Sequence, residues 1–582
     1  MKNILSLIKI ITPHKKHGSS RNIKAIIFFA ALALLLAQLH SLWFGRLTLI
    51  ALKARSFDQA ANYAQSAKIF PQLLNTVTFG KIPDLEIIST SFSLVNKLPK
   101  IINYLNPIST DTVNDLDEKG LIDQTNLDLK KISEAYPKSI LYGRLFPLHS
   151  ISPDLITHAS LLFDYLTSER LRVVIILQNS QEIRATGGFM GSYVDLSLQK
   201  GKLTQLDFHD IYQAEGLQAS FVEPPSGVKK YLSDGDNWKL QDANWNPDFP
   251  STAQQIQAFL ADAKQPSSDL VIAINLEVVE QVLAVLGEVY LPDYQTKIDS
   301  HNFAEIARSQ REDFFPGSHQ KVNFLSAAFI AIKQKLVQTN SQQQLEIVGV
   351  LNQALKDKSI QAYSSNPKIQ EIFKKRRVSG EMTFWPTVFS LYSDAIAPSI
   401  KPSEPIYFFA VESNVGINKA NQKIWRDVEI TIEQSQLTAR IQFTNDNMPP
   451  TTKNTNPYLK QADHLGYVNY QRFFLNPDAK VRYITVDNQS VTSWEEKIVQ
   501  IQNGQFFREV GFLLTIPEQQ KNTVEILIDI SSDKINPSQL VIPKQSGLPA
   551  TNYTIRKGRQ VINREITTDS TIMFETTEMP IP

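Results

Sequence analysis

The sequence predicts an α/β central domain, preceded by an N-terminal transmembrane helix and a helical stalk and followed by an all-β sandwich. Three observations predict it. Ala25–Gly45 carries no formal charge. From Arg172 onward, short apolar runs alternate with helical segments, which is the α/β pattern. Beyond Ala397–Pro405, which holds three prolines, apolar residues recur with a period of two. The 582 residues correspond to about three to four domains. With 42% hydrophobic and 20% charged residues the chain can build sizeable cores.

The N-terminal tail, residues 1–24, holds Lys2, Lys9, Lys15, Lys16, Arg21 and Lys24 and no acidic residue. The 21 residues of Ala25–Gly45 reach about 31 Å as a helix, enough to cross a hydrocarbon core. The run is longer than the apolar part of a cleaved signal peptide, and no clean cleavage motif follows it. The basic flank predicts a cytoplasmic N-terminus, a single pass through the lipid bilayer at 25–45, and an extracytoplasmic location for the rest. Residues 46–168 show helical spacing and read as a stalk whose helices bury one face.

The central domain, 169–396, opens with the apolar run RVVIILQN, a buried strand. FMGSYVDLSLQ and KLTQLDFHD follow as a hairpin turning at Lys200-Gly201. A helix opens near Pro250 with Ser251 as its expected N-cap and Gln254 at the capping-box position. The strand DLVIAIN and the helix LEVVEQVLAVL come next, the latter stopped by Gly287. Residues 405–582 contain VEITIE, LTARIQF, GFLLTIP and TVEILIDIS, alternating runs that predict the sandwich.

Composition excludes several functions. Lysine and arginine number 59 and aspartate and glutamate 58, a net charge of +1, so the chain is no globally basic nucleic-acid binder. With no cysteine, disulfide scaffolds, thiol nucleophiles and cysteine-ligated metals are ruled out. The nine histidines form no H-E-x-x-H, and there is no G-x-S-x-G, dinucleotide or Walker motif.

Three features remain. Gln178–Ser192, QNSQEIRATGGFMGS, follows a buried strand and carries a glycine pair. Converging N–H groups of Gly187 and Gly188 with an Arg184 fork would hold a phosphate or carboxylate. Alternatively the glycines permit a turn and Arg184 pairs with Glu182. Asp242-Ala-Asn244-Trp-Asn246-Pro-Asp248 alternates oxygen ligands like half of a calcium loop. Pro247 and Ala253 occupy the obligatory Gly and Glu positions, so an EF-hand fails. A looser Mg²⁺ or Ca²⁺ site at Asp242 or Asp248 stays open beside a turn-forming role. His209-Asp210 ends a strand, where neighbours point to opposite faces and do not form a joint acid–base pair.

Gln178–Ser192 resembles the hallmark of a bacterial family known only as domain of unknown function 4012. Asp242–Pro250, the segment Lys358–Gly380 and Asn414–Ala420 fit the same family. The resemblance covers roughly residues 170–580 and implies a membrane-anchored cell-envelope protein. A fainter similarity is to the LytR-CpsA-Psr cell-wall ligases, which use Mg²⁺ and arginines that clamp a polyprenyl pyrophosphate. It implies that the α/β domain is LytR-CpsA-Psr-like and places His209 and His319 where those ligases carry arginine. Histidine cannot form the fixed fork of arginine. The expected function is non-catalytic binding or scaffolding of an envelope glycan, a lipid-linked phosphate or a partner protein. The alternatives are a diverged ligase of envelope glycopolymers, with Mg²⁺ as its cofactor, and a sandwich that only projects or pairs. No other cofactor and no nucleic-acid partner is expected.

Overall fold

The computed structural model describes residues 43–48, 51, 56–77, 82–105, 115–135, 153–233, 237–310, 319–384, 403–449 and 466–575. The expected basic tail lies outside them, as do all of the expected membrane span but residues 43–45 and most of the proline-bearing linker. Among the described residues no helix is long and apolar enough to cross a membrane. The chain forms two compact units, Met1–Asp164 and Tyr165–Pro582.

The first unit is helical. Its helices include Phe57–Ala67, Ile69–Val77, Pro83–Leu105 and Asp115–Ala135. Ala60, Ala64 and Ala67 are buried at helical spacing on the first helix, and Ile87 packs with Ile132 and Ala135 between two others. Lys97 bonds Asp128 at 2.7 Å.

The second unit contains one mixed sheet and two larger β-sheets. The mixed sheet uses β1 (Leu171–Asn179), β2 (Phe189–Gln199), β3 (Lys202–Asp210), β4 (Leu270–Asn275) and β7 (Ile360–Ser364) in the order β3-β2-β1-β4-β7. Within it only the β1–β4 pairing is parallel. A short hairpin, β5 (Val289–Leu291) and β6 (Thr296–Ile298), lies outside this sheet. The β2–β3 turn places Lys200 and Gly201 at positive φ. Helix Phe249–Asp262 packs Phe249, Ile256 and Phe259 against Val174, Ile176 and Val271. Its N-cap is Asp248, not the expected Ser251. The Asp248 side chain accepts the Ser251 N–H at 3.0 Å, so Ser251 lies inside the first turn. Helix Leu276–Leu286 ends at Gly287, whose φ of 73° lets its N–H reach back to Leu283.

The C-terminal region is β-rich, as its period-two pattern requires. A six-stranded sheet is built around β8 (Glu404–Val411), β11 (Tyr467–Leu475) and β15 (Phe506–Ile516). A seven-stranded sheet is built around β9 (Ile424–Glu433), β10 (Gln436–Asn445) and β16 (Lys521–Asp529). β9 shows the burial alternation directly, with Val428, Ile430 and Ile432 inward. These meet Phe408, Phe473 and Phe512 of the other sheet in one shared core.

This core does not stand apart from the α/β sheet. Ile183, from the loop joining β1 to β2, is fully buried within it. Ala185 packs with Tyr407, Phe409 and Phe474. A second joint lies at Trp245. The Arg472 guanidinium of β11 sits 4.3 Å from the Trp245 ring and donates to the Trp245 carbonyl at 2.7 Å. It also pairs with Glu509 at 3.2 Å. Stacking a planar cation on indole while bonding its carbonyl locks both partners. Arg472→Met should therefore destabilise the protein by about 2–4 kcal/mol, because Glu509 loses a buried partner. Thermal unfolding checks this, and an unchanged midpoint would mean that the joint contributes nothing.

Candidate functional site

The most distinctive sequence in the chain, Gln178–Ser192, lies at the C-terminal ends of the parallel pair β1 and β4. Open α/β sheets place their ligand sites at that edge. Here the β1–β2 loop rises from it into the β-rich region. Its carbonyls are met by amide side chains and N–H groups from that region. Asn421 Nδ2 donates to Ser180 O at 2.7 Å, Asn414 N to Ile183 O at 3.0 Å, and Gln545 Nε2 to Arg184 O at 3.1 Å. Gln361 Nε2 of β7 reaches Thr186 O at 2.7 Å. Buried backbone needs such partners, and amide side chains supply them without charge.

Arg184 is 2% exposed. Its guanidinium donates to Glu182 at 3.0 Å, to its neighbour's carbonyl Ile183 O at 3.2 Å and to Asn414 O, with Asp242 at 3.7 Å from Nε. Two carboxylates and two carbonyls thus surround the one cation. Gly187 N–H is donated to Arg184 O at 3.1 Å, and Gly188 N–H points to Gln178 Oε1 at 3.5 Å. Gly187 holds a φ of 144°, and a Cβ there would come 2.3 Å from Asn275 Oδ1. A Cβ on Gly188 would strike the Asn179 carbonyl at 2.2 Å. The glycines are needed because backbone and amide groups pass this close. Of the two arrangements the sequence left open for Arg184, Gly187 and Gly188, the observed contacts are those of a tight turn with an Arg184–Glu182 pair. The two glycine N–H groups and the terminal guanidinium nitrogens point to protein acceptors, and Arg184 Nε faces the Asp242 carboxylate at 3.7 Å.

Gln178 organises the loop from below. Its Oε1 accepts from Thr186 Oγ1 and Asn244 Nδ2, each at 3.0 Å, and its Nε2 donates to Thr186 O at 3.1 Å. Asn244 Nδ2 also donates to Gly188 O at 2.8 Å. The four sequence blocks that share the family resemblance thus meet around one loop.

The candidate metal ligands have separate structural roles. Asp248 Oδ2 caps its helix and Oδ1 accepts Met382 N at 2.9 Å. Asp242 faces Arg184. Among the described residues no group of three or more His, Asp or Glu side chains could hold a metal ion. Burial pushes both aspartates up to about 6, opposed at Asp242 by Arg184 and at Asp248 by the Ser251 and Met382 bonds.

His209 and His319 lie at the outer end of the hairpin. The His209 ring stacks on Tyr193 with centroids 4.8 Å apart. His319 precedes helix Gln320–Val337 and its Nδ1 lies 3.1 Å from Gln213 Nε2. Asp210, beside His209, caps the next helix through the Tyr212 N–H at 3.0 Å. Two cations not singled out in the sequence border the β1–β2 loop and the start of β2. Arg308 donates to Gln181 Oε1 at 2.9 Å. Lys321 Nζ would be 2.7 Å from a Cβ on Gly191. Glu215 was missed as well. It accepts the Gln241 N–H at 2.7 Å, and burial, with Asp242 and Asp210 nearby, pushes its carboxyl up to about 8. Lys321 lies two residues after His319.

Residues 169–311 match the model of the family described as protein of unknown function, DUF4012. No curated protein matches the chain. Among solved structures, the Lin1025 protein of Listeria innocua is similar at 12% identity, with 37% of this chain and 80% of that chain covered and a TM-score of 0.22. TagV of B. subtilis is similar at 12% identity, with 36% and 79% covered and a TM-score of 0.22.

Two outcomes test the site. Arg184→Lys removes the fork that joins Glu182 and Asn414. It should cost about 3 kcal/mol or more, read as a lower unfolding midpoint in denaturant. The pH dependence follows from the three raised carboxyl groups, Glu215, Asp242 and Asp248. Each binds its proton more tightly folded than unfolded, so the stability they contribute falls as pH rises from about 4 to 8. Glu215→Gln keeps the acceptor for Gln241. It should raise the melting temperature at about pH 8 by a few degrees and leave it unchanged near pH 4. The stretch that matches the DUF4012 model, residues 169–311, holds Gln178, Arg184 and the glycine pair.

Proposed function

We propose that this chain is a membrane-anchored protein of the bacterial cell envelope that binds or scaffolds and does not catalyse. The observation that carries the reading is the use of Arg184. Arg184, the one arginine of Gln178–Ser192, is enclosed by Glu182, Asp242 and two carbonyls, and serves to mount a β-rich region on an α/β sheet. A rigid mount of this kind suits a protein that presents surfaces to an envelope glycan, a lipid-linked phosphate or another envelope protein. The six basic residues before Ala25 and the uncharged span after it support an N-terminus inside and the bulk of the chain outside.

A second reading, phosphotransfer of glycopolymers with Mg²⁺, draws on Arg308 and Lys321 at the edge of the sheet. Titration calorimetry of the full-length protein in detergent with a polyprenyl pyrophosphate, with and without Mg²⁺, separates the two. The proposal expects no Mg²⁺-dependent binding and no turnover. Mg²⁺-dependent binding that is lost in Lys321→Ala would overturn it in favour of the transferase. A reporter fused after Pro582 should be active only outside the cytoplasm, and activity inside would refute the location.

A further inference from the structure

The seven-stranded sheet turns one face into the shared core and the other to solvent. On the outer face the pairing register lines up Glu565, Asn552, Asp427, Gln442 and Thr523 as one row. It crosses the neighbouring strands Gln560–Ile566, Thr551–Lys557, β9, β10 and β16. Their sequence neighbours Ile566, Tyr553, Val428, Ile441 and Val524 are buried, so alternation puts the row on the solvent side. Four inter-strand steps make it about 19 Å long. Trp425 stands two residues before Asp427 on β9, on the same face and opposite Thr444. It is 53% exposed.

The adjoining residues of the same strands hold one another. Glu429 pairs with Arg556 at 3.8 Å and Arg440 with Glu525 at 2.6 Å. Thr554 Oγ1 bonds Asn563 Oδ1 at 3.1 Å, and Tyr483 donates to Glu525 at 2.8 Å. Among the described residues, none of the five side chains of the row has a hydrogen bond or ion pair, and neither has the Trp425 indole N–H.

An unengaged row of amides, carboxylates and a hydroxyl beside an exposed indole has the chemistry that recognises a sugar chain. Ring hydroxyls donate and accept, so they meet amides and carboxylates alike. The apolar face of a pyranose can lie flat on an indole, whose N–H stays available at the edge. The charges of the row are the acids Asp427 and Glu565, with Lys521 set one row aside opposite Thr444, so a phosphate polymer finds no line of cations.

We infer that this outer face binds an uncharged glycan strand, laid across the strands from Glu565 to Thr523 with one sugar ring against Trp425. The inference rests on the envelope-binding reading above and names the ligand and its surface.

Titration calorimetry of the full-length protein, in a detergent without a sugar headgroup, tests it with hexamers of β-linked glucose and of β-linked N-acetylglucosamine as probes. At least one should bind. Trp425→Ala should weaken that binding by about tenfold or more. Asn552→Ala and Gln442→Ala should each weaken it by about two- to tenfold. All three positions are exposed, so the unfolding midpoints should stay as in the native chain. Binding of neither hexamer overturns the inference and leaves the lipid-linked phosphate and the partner protein as ligands of the envelope reading. Binding that Trp425→Ala leaves unchanged also overturns it, and moves the glycan to another surface. Displacement of the hexamer by polyphosphate overturns it as well, by assigning the face to an anionic polymer. Mg²⁺-dependent transferase activity, by contrast, would refute the non-catalytic reading and leave this face intact.

Discussion

The second unit of this protein depends on a loop that enters a foreign core. Ile183 leaves the end of β1, crosses the edge of its own sheet and is buried among Phe408, Phe473 and their neighbours. Burying such a side chain is worth about 1.5–3 kcal/mol. That gain is available only if the polar backbone on either side is also accommodated. Asn414, Asn421, Gln361 and Gln545 provide the partners, and Arg184 ties the chain on both sides of Ile183 to Asn414 and Glu182. Much of the remaining local sequence follows from this geometry. Gly187 and Gly188 are there because Asn275 and the Asn179 backbone approach too closely for any side chain.

The same constraint bears on chemistry. The ends of β1 and β4 form the edge at which an open α/β sheet would receive a ligand. Here a large share of that edge is closed by the protein itself, through Ser546, Gln545 and Asn414. Toward β3 the His209 ring stacks on Tyr193, and His319 lies beside Gln213. The junction also keeps carboxyl groups out of water. Asp242 and Glu215 hold protons more tightly than free side chains do because they are buried near other acids, with Arg184 and Lys239 as the opposing charges.

Within the described residues, the two units differ in how they use charge. The helical unit places Lys97 against Asp128 as a partly buried pair between helices. The second unit repeatedly buries arginine: Arg184, Arg426 and Arg472 each join elements distant in sequence. A guanidinium can donate in several directions in one plane, so it can join a carboxylate, a carbonyl and an aromatic face at once. Arg472 does all three with Glu509, Trp245 O and the Trp245 ring.

The pattern of apolar residues was enough to read the strands RVVIILQN and DLVIAIN, the hairpin at Lys200-Gly201 and the helix stop at Gly287. It also showed the change to alternating strands after the prolines. All of these rest on local periodicity or on one residue's φ preference. The roles of Arg184, Gly187, Gly188, Asp242 and Asp248 were not legible in that way. A glycine pair next to an arginine has the same spacing in an anion cradle as in a packed joint. The difference is whether the N–H groups and the guanidinium meet solvent or protein. Asn414, Asn421 and Gln545 decide that question, and they lie more than 200 residues farther along the chain. Only the tertiary structure brings them back to the loop, because long-range contacts leave no period in the sequence that contains them.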